Sequence, residues 1–124
     1  MPWVVRLADE FEQELLNLER EVRNKLAATA KLLEASGPQL GRPQVDTLKG
    51  AKHPNLKELR FEAAGGAWRV AFAFDPAREA VLLVAGDKSG VSEDRFYKRL
   101  IATADARYAR HLAQLGKAQG KKGN

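Results

Sequence analysis

Lys49, Lys52 and His53, then Lys57 and Arg60, then Arg69 and Lys88 form the one concentration of residues in this chain whose types suit a chemical task. Lysine and arginine make charge-assisted hydrogen bonds to phosphate oxygens, and arginine can do so bidentately. Gathered on one surface, these side chains would hold a polyanion backbone. His53 has the side chain that titrates nearest neutrality, which makes it the best-placed general acid or base. A histidine before Pro54 in a polar loop is, however, usually a solvated residue. Tyr97, beside Lys98 near the start of the last helical segment, can face either way, and His111 reads as a surface residue. The arginines have a plainer reading too. If Arg69 faces Glu62 with Arg60 diagonal to it, the three form an ordinary cross-strand ion network on a solvated face. The residue pattern leaves both readings open.

Other chemistries find no support. The chain has no cysteine, which removes disulfides and thiolate catalysis and points to a reducing cytoplasm. No HExxH, Walker loop or GxGxxG motif is present, and Ser89 lies in no nucleophile elbow. Two distant histidines without cysteine predict no metal site, and no cofactor is expected. The N-terminus lacks a basic region followed by a long apolar run, and no run approaches the roughly 20 residues that span a bilayer, so no membrane partner is expected. The formal net charge is +5, but residues 116–124 hold three lysines and no acid; the remainder carries 18 basic and 16 acidic residues. Any nucleic-acid reading therefore depends on where the charges sit, not on their sum.

Strands must position the cations. Residues 56–63, 67–74 and 80–87 read as three consecutive β-strands, and Gly65-Gly66 supplies a two-residue hairpin turn between the first two. That turn pairs Ala64 with Ala67, Phe61 with Val70, Leu59 with Phe72, Glu62 with Arg69 and Arg60 with Ala71. Alternation puts Leu59, Phe61, Trp68, Val70, Phe72 and Phe74 on a core face. The other face becomes a charged floor of Glu58, Arg60, Glu62 and Arg69 beside Ala71 and Ala73, with open room above it. The apolar run over 81–85 fits a strand buried on both faces. Upstream, residues 3–7 predict a short opening strand. Residues 9–35 predict a helical pattern with Phe11, Leu15 and Leu18 on one face and Val22, Leu26, Ala30 and Leu33 on the next. A single rod would be about 40 Å long, so a break into a helical hairpin is expected near residues 17–20. Gly37-Pro38 stops the helix, and the next 18 residues read as an ordered loop. Ser92 caps a last helix carrying Phe96, Leu100, Ala104, Tyr108 and Leu112.

The result is an α+β domain over residues 1–115: short N-terminal strand, helical hairpin, three-stranded antiparallel sheet and C-terminal helix, followed by a basic flexible tail at 116–124. This order resembles the RelE/HigB superfamily of type II toxins, and three segments resemble its phage-derived, HigB-like branch. They are Leu48-Lys49-Gly50 followed by Leu56-Lys57-Glu58-Leu59-Arg60, the strand Arg69-Val70-Ala71-Phe72-Ala73-Phe74, and Asp87-Lys88-Ser89 at the end of the last strand. The resemblance implies a ribosome-dependent, metal-free mRNA endonuclease in which the substrate 2′-OH attacks the adjacent phosphate. It also implies a cognate antitoxin, often of helix-turn-helix type, and mRNA on the ribosome as partners. Carried across by position, Arg60 and Arg69 would clamp the phosphate and Lys57 and Lys88 the flanking backbone, with Lys49 and Lys52 as further RNA-binding cations. Glu58 becomes the candidate base, and His53 or Tyr97 the candidate acid. Relatives often carry His or Tyr where this chain has Asp87-Lys88. A ParE-like topoisomerase blocker, or a non-catalytic module that binds nucleic acid or antitoxin, shares the fold and is the alternative.

Overall fold

The computed structural model describes residues 2–122. The elements run β1 (Val4–Leu7), α1 (Asp9–Leu15), α2 (Arg20–Ser36), β2 (Val45–Thr47), β3 (Lys57–Ala63), β4 (Gly66–Phe74), β5 (Glu79–Asp87) and α3 (Glu93–Lys122). They build one five-stranded sheet in the order β1-β5-β4-β3-β2. The α+β class, the three antiparallel strands, the helical break before Arg20 and the capping of α3 by Ser92, whose hydroxyl accepts the Arg95 N–H, agree with the sequence reading. α3 carries helix through residues 116–122, the segment read from composition as a tail.

Two strands enlarge the expected three-stranded sheet. β1 runs parallel to β5, Val4 opposite Glu79 through Leu7 opposite Leu82. β2 forms inside the segment read as a loop and pairs antiparallel with β3, Val45 opposite Leu59. Three residues are too few to show a period, which is why β2 carries no sequence signal. β5 is thus flanked by β1 and β4, and Val81, Leu82 and Leu83 are fully buried, as its apolar run predicts.

The hairpin differs from expectation by one position. Ala64 (φ 50°) and Gly65 (φ 74°) occupy the turn, and Gly66 already pairs with Ala63. Arg60 therefore faces Arg69, not Ala71; Glu62 faces Ala67; Leu59 faces Val70; and Phe61 faces Trp68. The cause lies across the sheet. A Cβ on Gly66 would stand 2.5 Å from Asp87 Oδ2, and that carboxylate accepts the Ala67 N–H at 3.1 Å. The glycine needed for this close approach is not available for the turn. Since the partners shift by two residues, each side chain keeps its face.

Both faces are covered. Leu59, Val70 and Phe72 are buried on the first, where α2 packs across β3, and Trp3 meets Phe74 edge-on at 5.0 Å. Fully burying side chains of this size stabilises the fold by about 1.5–3 kcal/mol each. The second face is not the open floor expected. α3 lies on β4 and β5 through Leu100, Ala104 and Tyr108, against the small Ala71 and Ala73. Small residues let a helix approach a sheet closely, so the alanines there make room for α3, not for solvent. Glu58 and Arg69 are buried as a result, only 5% and 7% exposed.

Candidate active site

Tyr97 is the first inward-facing polar residue of α3, and it reaches the sheet between the two charges that β3 and β4 bury. Its hydroxyl donates to Glu58 Oε1 at 2.8 Å and accepts from Arg69 Nε at 3.3 Å. Arg69 Nη1 donates to the Trp68 carbonyl at 3.0 Å, and Arg69 Nε lies 3.7 Å from Glu58 Oε1. Beside them, Arg60 Nη1 is 3.8 Å from Asp46 Oδ2, and Asp46 is shared with Arg42 Nε at 3.4 Å. Arg60 and Arg69 are cross-strand neighbours. Like charges directly opposite one another destabilise a sheet, so this pair has a structural cost that the surrounding carboxylates offset only in part.

The electrostatics follow from that arrangement. Burial is the main influence on the Glu58 carboxyl and pushes it above the usual range, against the Tyr97 hydrogen bond and the two arginines. Burial, then the bond to Glu58, likewise raises the Tyr97 phenol, which keeps its proton. A carboxylate moved toward neutrality and a phenol held protonated form an acid–base pair at hydrogen-bond distance.

The pair opens into a groove of about 550 Å³ between β2, β3 and the first turns of α3. Glu58, Arg60, Tyr97 and Lys49 line it, and so do five charged residues the sequence reading missed as site residues: Arg42, Asp46, Glu93, Asp94 and Lys98. Four basic side chains thus meet four carboxylates. The expected groove of arginine and lysine is therefore a mixed-charge one. β2 brings in Asp46, and the acids that read only as dipole-matched residues of a helix N-terminus bring in the rest.

The other candidates lie apart. Lys88 Nζ pairs with Glu93 Oε1 at 3.0 Å at the groove's edge. Lys57 is half-buried at the start of β3, opposite Phe72 and so on the α2 side. His53 Nδ1 is 2.8 Å from Asp105 Oδ1, and the backbone N–H groups of Lys52 and His53 donate to the same carboxylate. Asp105 is eight residues beyond Tyr97 on α3, about 12 Å along the helix, so His53 does not join the Glu58–Tyr97 pair. A partner 52 residues away leaves no local signal. His111 is not the surface residue expected: its Nε2 lies 2.7 Å from the buried Asp75 Oδ2. Among the described residues, no group of three His, Asp or Glu side chains is placed to hold a metal ion.

The family model for phage-derived Gp49-like proteins (DUF891) matches residues 13–109, a span that contains the whole groove. The chain belongs to this Gp49-like family. Over 109 residues it is 43% identical to a Mycobacterium tuberculosis protein named as the toxin HigB2, covering 87% of this chain and 54% of that one. It is 42% identical to a second one, named as HigB3, covering 88% and 93%. The Gp49-like chain thus spans about half the length of HigB2 and nearly all of HigB3. In three dimensions it is similar to an arginine-to-alanine mutant of the E. coli toxin RelE in the free state, with a TM-score of 0.58 over 82% of this chain and 96% of that one at 13% identity. That likeness concerns the fold. The resemblance to RelE/HigB-type proteins read from the sequence is borne out. No helix among the described residues is long and apolar enough to cross a membrane.

Proposed function

We propose that this chain is the toxin of a toxin–antitoxin pair and that it cuts mRNA on the ribosome by metal-free transphosphorylation in the groove over Glu58 and Tyr97. One observation carries the reading: the Tyr97 hydroxyl bridges buried Glu58 and Arg69 at the floor of a groove into which Arg60 opens. Glu58 takes the proton from the substrate 2′-OH, whose oxygen then bonds to the adjacent phosphorus. As the bond from phosphorus to the 5′-oxygen breaks, Tyr97 gives that oxygen its proton and is reprotonated from Glu58, so protons balance over the turnover. Arg60, one-third exposed, is open to the phosphate and stabilises its extra charge. Arg69 supports the charge from beneath and fixes Tyr97. Lys49 and Lys98 at the rim, with Lys52 and Lys88 beyond it, are the cations available to flanking RNA; Lys57, on the α2 side of the sheet, is not among them. The names of the two mycobacterial relatives support the toxin role, and a cognate antitoxin follows from it.

The test is induced expression in a bacterial host of wild type, Arg60→Ala and Tyr97→Phe, with mapping of mRNA 5′ ends. Wild type is expected to arrest growth and leave in-frame cuts with 5′-hydroxyl ends, visible only after kinase treatment. Each variant should lose about 10²-fold or more of the cutting. Arrest without cuts would indicate a ParE-like blocker. Cuts retained in both variants would move the site elsewhere.

A further inference from the structure

The two edges of the sheet are treated differently. β2, at one edge, has three residues and follows Pro43, so it offers little backbone to a further strand. At the other edge β1 covers β5 only from Glu79 to Leu82. The Leu83 carbonyl is taken by Arg107 Nη1 at 2.8 Å, but among the described residues no strand pairs with residues 84–87 on that side. This stretch, Val84-Ala85-Gly86-Asp87, has no lysine or proline to block strand addition. Alongside it runs a groove of about 280 Å³ whose walls are mainly Val84, Val91, Phe96 and Leu100. Gly86 sets its floor, since a Cβ there would stand 2.9 Å from the Phe96 ring.

The charges at this groove have one sign to spare. Arg95 and Arg99, one turn apart on α3, line it and make no salt bridge among the described residues. The carboxylate present, Asp87, already accepts the N–H groups of Ala67 and Ser89. An open strand edge requires an extended ligand backbone, the apolar walls require alternate apolar side chains, and the arginines require carboxylates between them. We propose that residues 84–87 and this groove receive an extended segment of a partner protein, of alternating apolar and acidic residues, which adds to the sheet in line with β1. Apolar walls favour a polypeptide over a nucleic acid.

The probe is a panel of fluorescent heptapeptides alternating Val or Ile with Asp or Glu, read by anisotropy against the full chain. Members of the panel should bind, and lysine-for-acid versions should not. N-methylation of alternate peptide amides should abolish binding, because it removes the strand hydrogen bonds. Arg95→Glu/Arg99→Glu should weaken binding about tenfold or more while leaving RNA cutting unchanged. Hydrogen exchange should slow at residues 84–87 in the complex. No binding up to about 1 mM, binding indifferent to N-methylation, or displacement by a short RNA would each overturn the proposal. Apart from that RNA-cutting control, these readouts do not depend on whether the chain cuts RNA.

Discussion

Glu58 on β3 and Asp105 on α3 are both buried carboxylates, yet their surroundings push them in opposite directions. For each, burial is the largest influence and favours the neutral form. At Asp105 the N–H groups of Lys52 and His53 and the His53 ring outweigh burial and hold the carboxyl below its usual range. At Glu58 one phenol and two arginines do not, and the carboxyl stays above it. Opposed shifts of this kind separate a group suited to proton transfer from one suited to holding structure. Two outcomes follow for Glu58→Gln. Cutting should fall by about 10²–10⁴-fold, and the wild-type rate should decline as pH drops through the raised Glu58 value and converts the base to its acid. Stability should move the other way. A carboxyl raised by folding opposes the folded state once ionised, so Glu58→Gln should melt higher than wild type at about pH 7. That gain should vanish below about pH 4. Thermal melts at both pH values decide this; a variant less stable at both would mean that ionised Glu58 is a structural asset. At this scale, alternation along β3 and β4 was enough to put Glu58, Arg60 and Arg69 on one face. It could not place His53, whose position depends on a carboxylate half a chain away.

The β3–β4 hairpin shows what an element's own sequence can and cannot specify. Period-two alternation made its two faces legible. Its register was not, because two adjacent glycines admit more than one turn, and the choice was made by Asp87 on β5. Gly66→Ala tests that account: the new methyl meets the Asp87 carboxylate and should cost about 1–3 kcal/mol in urea unfolding. Unchanged stability would mean that Asp87 moves aside freely and does not set the turn. The one-position shift also brings Arg60 opposite Arg69 and so turns an expected Arg–Glu pair into two adjacent cations. β2 was invisible for a different reason. It is a strand only because β3 offers an edge to pair with, yet it delivers Asp46 to the groove.

Across the whole molecule α3 works as a clamp. It holds α1 through Arg107–Glu14 and Arg110–Glu10, the β4–β5 turn through His111–Asp75, and the segment before β3 through Asp105. Asp105→Ala removes the acceptor for two backbone N–H groups and the His53 ring and should lower stability by about 2 kcal/mol at about pH 7. Because folding lowers this carboxyl, its contribution is present above the unfolded value near pH 4 and lost as pH falls through the folded one. The difference between variant and wild type in urea unfolding should therefore shrink toward about pH 3; an equal difference at both values would assign the effect to shape, not to charge. The amino-acid sequence by itself determined the class of fold, the main elements, which residues of each strand share a face, and the stripe that α3 buries. These depend on periodicity and on turn and cap chemistry within a few residues. Only the tertiary structure decided that β1 runs parallel to β5, that α3 covers the charged face, and that Tyr97 links Glu58 to Arg69 while His53 goes to Asp105. Those outcomes are contacts between residues tens of positions apart, selected by how small and large side chains fit when both faces of one sheet are closed.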